Sequence, residues 1–300
     1  MLYLVMELQK EVHEFRGKAI SLHWNGVKER AFVYFNRAIK LDPKDAATYF
    51  HKSCALNDRR KNKEALGCID QAIRIDPNQS AYYSSKGNIF RRIGRSEVAI
   101  DCYNKAISLN PKDSHSYFSK GHALREMGKN EEAVECYDQA INLNPSSPLF
   151  YYYKSDVLRK MGKNEEIFDC FDKIISLDPD NAWNFLRKGD FLNETGKREE
   201  AVNCYDKAIS LRPDIASAYF KKGNVLQKME KYEEAVECYD QSISLEPEDA
   251  DTYYEKGNVL RAIGKKTEAM DCYEKALDLN PDHQDALNER DTILNDIAES

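Results

Sequence analysis

Eight of the nine prolines stand at 43, 77, 111, 145, 179, 213, 247 and 281, so a spacing of 34 residues runs through almost the whole chain without a slip. A fixed period of this length marks a stacked array in which each unit is one helix pair that cannot bury its apolar face alone. Function must then be read from the surface of the stack.

Setting each proline at position 32 gives units 12–45, 46–79, 80–113, 114–147, 148–181, 182–215, 216–249 and 250–283, with 1–11 before them and 284–300 after. Position 4 is aromatic in all eight (Phe15, Tyr49, Tyr83, Tyr117, Tyr151, Phe185, Tyr219, Tyr253), and position 8 is small (Ala19, Ser53, Gly87, Gly121, Ser155, Gly189, Gly223, Gly257). Position 20 is alanine except at Ile167, position 24 is Phe or Tyr except at Ile69, position 27 is small except at Ile174, and position 30 is Leu or Ile. At these offsets the chain resembles the tetratricopeptide repeat (TPR) family over residues 12–283. The resemblance implies an all-α fold, a right-handed superhelix or α-solenoid of eight helix-turn-helix repeats.

Residue chemistry leads to the same elements. Apolar positions 4, 8 and 11, and again 20, 24, 27 and 30 or 31, recur by threes and fours, which predicts two amphipathic helices per unit, A and B. Glycines 26, 94, 128, 162, 196 and 264 at position 15 suit a left-handed cap between them. The residue before each proline is pushed out of the helical region, which ends helix B. Asp45, Asp113, Ser147, Asn181 and Asp249 stand where N-caps are expected. No linker interrupts the period, so one domain over 1–300 is expected, with 1–11 extending the first helix and 284–300 forming a capping helix.

With 44 basic and 51 acidic side chains the net charge is −7, and general attraction to nucleic acid or an anionic membrane is not expected. No apolar run approaches the roughly 18 residues of a membrane span, and MLYLVM followed by Glu7 and Lys10 is too short for a signal peptide. Seven of eight cysteines (68, 102, 136, 170, 204, 238, 272) occupy position 23, one per B helix. Stacked helices lie roughly 8 to 10 Å apart, too far for the Cα separation of a disulfide, about 7 Å at most, and one sulfur per layer does not make a metal site. These thiols read as packing groups of a cytoplasmic protein, in a reducing compartment, with no metal and no cofactor.

The ends and the middle depart from the pattern. Val5, Leu8, Val12, Phe15, Ala19 and Leu22 continue one stripe, so the first helix should start well before position 12 and offer an apolar tip for self-association. Leu287, Leu294 and Ile297 are expected to form the apolar face of the capping helix. In the fifth unit Ile167 and Ile174 replace small residues at positions of close approach and should widen the local spacing.

TPR geometry implies that positions 2, 5, 6, 9, 12 and 13 of helix A line a concave groove. These positions carry a net positive formal charge inside an acidic chain. The candidate groove residues are Phe50, Phe118, Tyr152, Phe220 and Tyr254 at position 5, Asn88, His122, Asn224 and Asn258 at position 9, and Arg91, Arg125, Arg159 and Arg261 at position 12. Aromatics give flat contact, asparagines can bond an extended backbone, and arginine forks bind carboxylates. The same residues also read as packing, inter-repeat polar contacts and a solvated face. A lysine at position 7 of every unit reads as structural, its stem on the neighbouring repeat and its ammonium reaching acids such as Asp138 and Asp172.

Chaperone-binding members of the TPR family resemble one another in a carboxylate clamp with a lysine at position 5. Here only Arg16 is basic at that position, and Ile20 follows at position 9, so the clamp is disfavoured. No glycine-rich phosphate loop, nucleophile motif or ligand cluster appears, and an enzyme is not expected. The expected function is a non-catalytic scaffold that cradles an extended, acid-containing peptide or a partner helix. The alternatives are a self-assembling module and a subunit that recruits substrate to a separate enzyme.

Overall fold

The 34-residue period becomes a regular alternation of helices in the computed structural model, which describes the backbone of residues 2–298 and the side chains of 6–295. The chain separates into two compact units, Met1–Lys163 and Asn164–Ser300, and the boundary falls between the two helices of the fifth repeat, which carries Ile167 and Ile174. The first unit holds α1 (Leu2–Trp24), α2 (Lys28–Leu41), α3 (Ala46–Asp58), α4 (Asn62–Ile75), α5 (Ser80–Arg92), α6 (Ser96–Leu109), α7 (Ser114–Glu126), α8 (Asn130–Leu143) and α9 (Pro148–Lys160). The second holds α10 (Asn164–Leu177), α11 (Ala182–Glu194), α12 (Arg198–Leu211), α13 (Ala216–Lys228), α14 (Tyr232–Leu245), α15 (Ala250–Ala262), α16 (Lys266–Leu279) and α17 (Gln284–Ala298). The described residues contain no strand. The fold is an all-α helical repeat.

Inside each unit helix A packs on its own helix B, and helix B packs on the next helix A. Successive A helices also touch, as α1 does α3 and α13 does α15, so they form the inner layer of each unit. Two stripes serve the two contacts. Position 11 meets the repeat's own B helix (Leu56, Leu124, Leu226 and Leu260 are buried), whereas positions 3 and 10 meet the preceding repeat (Thr48 with Ala55, Ser116 with Ala123, Thr252 with Val259). The second stripe is hidden in the sequence because its position 3 residues are often polar. Thr48, Ser116 and Thr252 are buried by donating their hydroxyls to Asp45, Asp113 and Asp249.

The same register corrects the expected face of the last helix. Ala286 and Ile293, at positions 3 and 10, are the buried pair of α17, while Leu294 is 49% exposed. Leu287 and Leu294 occupy positions that elsewhere pack on a following B helix, and no such helix exists among the described residues. Ile297 lies outside the described side chains, as does Val5 at the other end. The early start of the first helix is borne out, because α1 begins at Leu2.

All six position 15 glycines take φ between 71° and 82°, and the two repeats without glycine hold Arg60 and Glu230 at φ 60° and 59°. Only two of the five expected N-caps bond their helix through the side chain: Asp113 accepts from the His115 amide and Asn181 from the Trp183 amide. Asp45 and Asp249 are turned to the position 3 threonines instead, and Ser147 makes no cap bond.

The requirement for a small residue at position 8 has a definite cause. A Cβ on Gly87, Gly121, Gly189, Gly223 or Gly257 would stand 2.6 to 2.8 Å from the ring of Tyr103, Tyr137, Tyr205, Tyr239 or Tyr273 at position 24. Repeats without the glycine also lack the tyrosine, pairing Ala19 with Phe35, Ser53 with Ile69 and Ser155 with Phe171 along the sequence. Ser53 uses the space by donating to the Ala65 carbonyl at 2.8 Å.

Six of the position 7 lysines tie their repeat to the one before. Lys86, Lys154, Lys188, Lys222 and Lys256 pair with Asp70, Asp138, Asp172, Asp206 and Asp240 at 2.5 to 2.8 Å, and Lys52 donates to Asn36. Lys18 of the first repeat turns to Glu14 on its own helix. None of the cysteines is in a disulfide, and burial pushes the thiols of Cys68, Cys102, Cys136, Cys204, Cys238 and Cys272 upward, Cys238 from 9.0 to about 11. They remain protonated packing groups at neutral pH.

Candidate functional site

The A-helix positions expected to line a groove are exposed in part, but many already have partners within the chain. At position 9, Asn88, Asn224 and Asn258 each accept the hydroxyl of the same repeat's position 24 tyrosine through Oδ1, at 2.7, 2.7 and 2.9 Å from Tyr103, Tyr239 and Tyr273. Asp190 does the same for Tyr205. Gln227 also stands 2.8 Å from the Tyr239 oxygen. A phenol has one proton, so its two acceptors, Asn224 Oδ1 and Gln227 Oε1, share it. Burial drives these phenols' pKa values well above the ordinary range, which keeps the donors protonated. The carbonyl end of Asn88 is therefore fixed with its NH₂ presented away from the tyrosine, while the Asn258 NH₂ donates to Glu255 at 3.3 Å.

Repeat 4 differs, with His122 in place of the asparagine. Burial, then Arg125 and Arg91, lower its pKa to about 4, so the imidazole is neutral. It lies 4.1 Å from the ring of Tyr153 and 5.1 Å from that of Phe118. Tyr137, lacking the usual acceptor, keeps a buried hydroxyl with no partner.

Position 5 aromatics are half-buried, and most pack on neighbouring rings. Phe118 packs on Tyr137 and on Phe150 of the next repeat at 5.8 and 4.9 Å, Phe50 on Tyr82 at 5.1 Å, Phe220 on Tyr239 at 6.0 Å, and Tyr254 on Tyr273 and His283 at 6.1 and 4.8 Å. Phe118 also meets the rings of His122 and Tyr153 at 5.1 and 5.2 Å, and Tyr152 is half-buried on α9.

The arginines do not form a row of free forks. Arg91 reaches Glu126 at 2.7 Å and Arg125 reaches Asp156 at 2.5 Å, each on the next repeat, while Arg261 reaches Glu289 of α17 at 3.0 Å. Arg125 also lies over the Tyr153 ring at 5.2 Å. Arg159 stands exposed near the end of α9. Opposite charge on an adjacent helix could not be seen from position 12 alone; it required position 13 (Glu126) and position 9 (Asp156) of the following repeat. Arg16, the basic residue at position 5, is held by both oxygens of Asp45.

Lys221 and Lys228, which the sequence reading missed, join the site in the second unit. They line a cavity of about 320 Å³ with Asn193, Asn224 and Phe220, where Lys221 also bonds both oxygens of Asp190 at 2.9 Å. The signal was their place at positions 6 and 13 of one helix.

Models of the TPR repeat match residues 121–154 and 189–230, and models of the tetratricopeptide repeat match 80–113, 102–135, 150–181, 216–249 and 250–283. No curated protein gives a significant match. Among solved structures, YrrB, described as "a TPR protein with an unusual peptide-binding site", is 25% identical with a TM-score of 0.53 over 64% of this chain and 99% of its own. PilF of Pseudomonas aeruginosa is 19% identical, with a TM-score of 0.59 over 69% and 94%. MamA from Desulfovibrio magneticus RS-1 is 17% identical, with a TM-score of 0.50 over 56% and 96%.

Proposed function

The chain belongs to the tetratricopeptide repeat family, a family of protein-interaction scaffolds, and from that premise we propose that it binds an extended peptide along its A helices without catalysing a reaction. The observation that carries the reading is the fixed orientation of Asn88. With Oδ1 held by Tyr103, it offers NH₂ donors to the carbonyls of an extended backbone. Phe118 and Tyr152 supply flat contact within the same unit, as Phe220 does in the second. Acidic side chains of the peptide exchange with Glu126 and Asp156 for Arg91 and Arg125, a trade between two ion pairs that gives register more than affinity. The peptide-binding site ascribed to YrrB supports the same use of the fold. No described helix is long and apolar enough to cross a membrane, and the free thiols support a cytoplasmic setting.

Photo-crosslinking in cells tests this. Benzoylphenylalanine at Ser84 or Ser119 on A helices should capture a partner, whereas the same probe at Glu135 or Glu237, exposed on B helices, should not. Capture confined to the B-helix positions overturns the groove. Against a captured partner, R91A/R125A/R159A should weaken binding about tenfold or more, since charged hydrogen bonds are worth roughly 1.5 to 3 kcal/mol each, less where exposed. A second reading, self-association through the start of α1, is favoured by Met6 at 66% and Leu8 at 40% exposure. A solution mass equal to one chain excludes it.

A further inference from the structure

In repeats 3, 6, 7 and 8 the position 24 phenol reaches position 9 and occupies the space beneath the A-helix face. Repeats 1 and 2 have no such phenol. Phe35 and Ile69 stand at position 24, and Ile20 and Cys54 replace the polar residue at position 9. Here a cavity of about 290 Å³ opens, with Ile20, Phe35, His23, Trp24, Asn57 and Asp58 among its walls. Its size, at the lower end of small-ligand sites at roughly 300 Å³, suits one inserted side chain.

Two polar atoms of the wall call for a donor, on a wall that also holds Ser85 and the Asn88 amide. His23 Nε2 lies 2.9 Å from an oxygen of Asp58, and a carboxylate only accepts, so the imidazole donates there and its Nδ1 carries the lone pair in the neutral ring. That Nδ1 and Asn57 Oδ1 are both buried with no partner. Two orphaned acceptors beside one cavity are the kind of exception that native structures rarely leave unfilled. Trp24 stands at the rim with 78% exposure, 5.7 Å from the His23 ring, and Asp58 is half-exposed. His51, also on the wall, has its pKa lowered by burial and by Arg16 and adds no charge at neutral pH. Arg92 donates to the Asn57 backbone carbonyl at 2.6 Å and is the nearby cation.

We propose that this cavity receives the guanidinium of an arginine side chain from the partner protein. Its N–H groups satisfy His23 Nδ1 and Asn57 Oδ1, its charge pairs with Asp58, and its plane stacks on Trp24. No other side chain combines a flat face, several donors and no acceptor. The proposal deepens the groove reading and rests on it for the identity of the partner as a peptide, but occupancy of the cavity can be measured without any partner.

The test is a nuclear magnetic resonance titration of the full chain with acetyl-arginine-methylamide, with acetyl-norleucine-methylamide as the aliphatic control. Shifts at the Trp24 indole N–H, the Asn57 side-chain amide and the His23 ring are expected from the arginine probe alone. Asp58→Asn should weaken them about fivefold, the upper range for a partly exposed pair. Phe35→Tyr, which supplies the phenol found in repeat 3, should abolish them; should that variant disturb the circular dichroism, Asn57→Leu removes one acceptor at similar size. R91A/R125A/R159A should leave the shifts unchanged, so loss of groove binding and loss of the cavity are read separately. Absence of shifts at these three residues, equal shifts from norleucine, or shifts that survive both Phe35→Tyr and Asn57→Leu would overturn the proposal.

Discussion

Repeats 2 and 3 follow the same 34-residue pattern yet solve the A–B contact in opposite ways. Repeat 3 brings Gly87 against the ring of Tyr103, whose hydroxyl crosses to Asn88, so one aromatic fills the interior and fixes a surface amide. Repeat 2 places Ser53 opposite Ile69, ties the serine to a backbone carbonyl, and leaves Cys54 where the asparagine would be. Positions 8 and 24 therefore vary together. Repeats 3, 7 and 8 place an asparagine beside the phenol, whereas repeats 1 and 2 open a cavity with unfilled acceptors.

The largest effect should come from crossing the two solutions. Gly87→Ser in repeat 3 drives a side chain against Tyr103 and should destabilise by about 1 to 3 kcal/mol through overpacking. In a Tyr103→Ile background the same change should cost nothing, because the ring is gone and the serine can reach the Ala99 carbonyl as Ser53 reaches Ala65. Chemical denaturation of the double-mutant cycle measures the coupling, and additive effects would show that the glycine is not there for the ring. Gly67 has no neighbour within 4 Å of its would-be Cβ, so Gly67→Ala in mid-α4 should stabilise by about 0.5 to 1 kcal/mol.

The hydroxyl itself is isolated by a second pair of variants. Tyr103→Phe removes the bond to Asn88 and should lose about 0.5 to 1.5 kcal/mol. Tyr137→Phe in repeat 4 removes a buried hydroxyl that has no partner, and should be neutral or stabilising. Equal losses in the two would mean that the hydroxyl's value does not depend on position 9.

These contrasts mark how far the sequence could be read. The helices, their turns at glycine and their ends before proline were legible because each follows from local backbone chemistry repeated eight times. The role of Asn88 was not, since its partner lies 15 residues away on the other helix and the pairing shows only when positions 9 and 24 are read together. Arg91 and Arg125 looked free for the same reason: Glu126 and Asp156 belong to the next repeat. On α17, Leu287 and Leu294 looked like the buried face because leucines outweigh Ala286, but register against the preceding helix decided the matter.

A smaller effect is expected at the A–B turns, where six repeats spend a glycine on the left-handed residue and repeats 2 and 7 do not. Arg60 and Glu230 hold φ near 60° while donating their amides to Asn57 and Gln227. Arg60→Gly and Glu230→Gly keep that hydrogen bond and relieve the Cβ, and each should stabilise by about 0.5 to 1 kcal/mol, partly offset by the freer unfolded chain. A loss of thermal stability in both would mean that the side chains, not the backbone, hold these turns.

The smallest effect separates the first repeat from the others at the lysine ladder. Lys188 pairs with Asp172 of the preceding repeat with its own side chain only 22% exposed but the carboxylate 62% exposed. Solvent screens such a pair, so Lys188→Met, which keeps the apolar stem, should lose about 0.2 to 1 kcal/mol, and less at high salt. Lys18 instead pairs with Glu14 one turn away on its own helix, and both are about half-exposed. Lys18→Met should leave stability unchanged within error at any salt concentration. Denaturation midpoints at low and high ionic strength distinguish the cases. If both variants lose stability equally and with the same salt dependence, the lysines act by general charge and not by joining one repeat to the next.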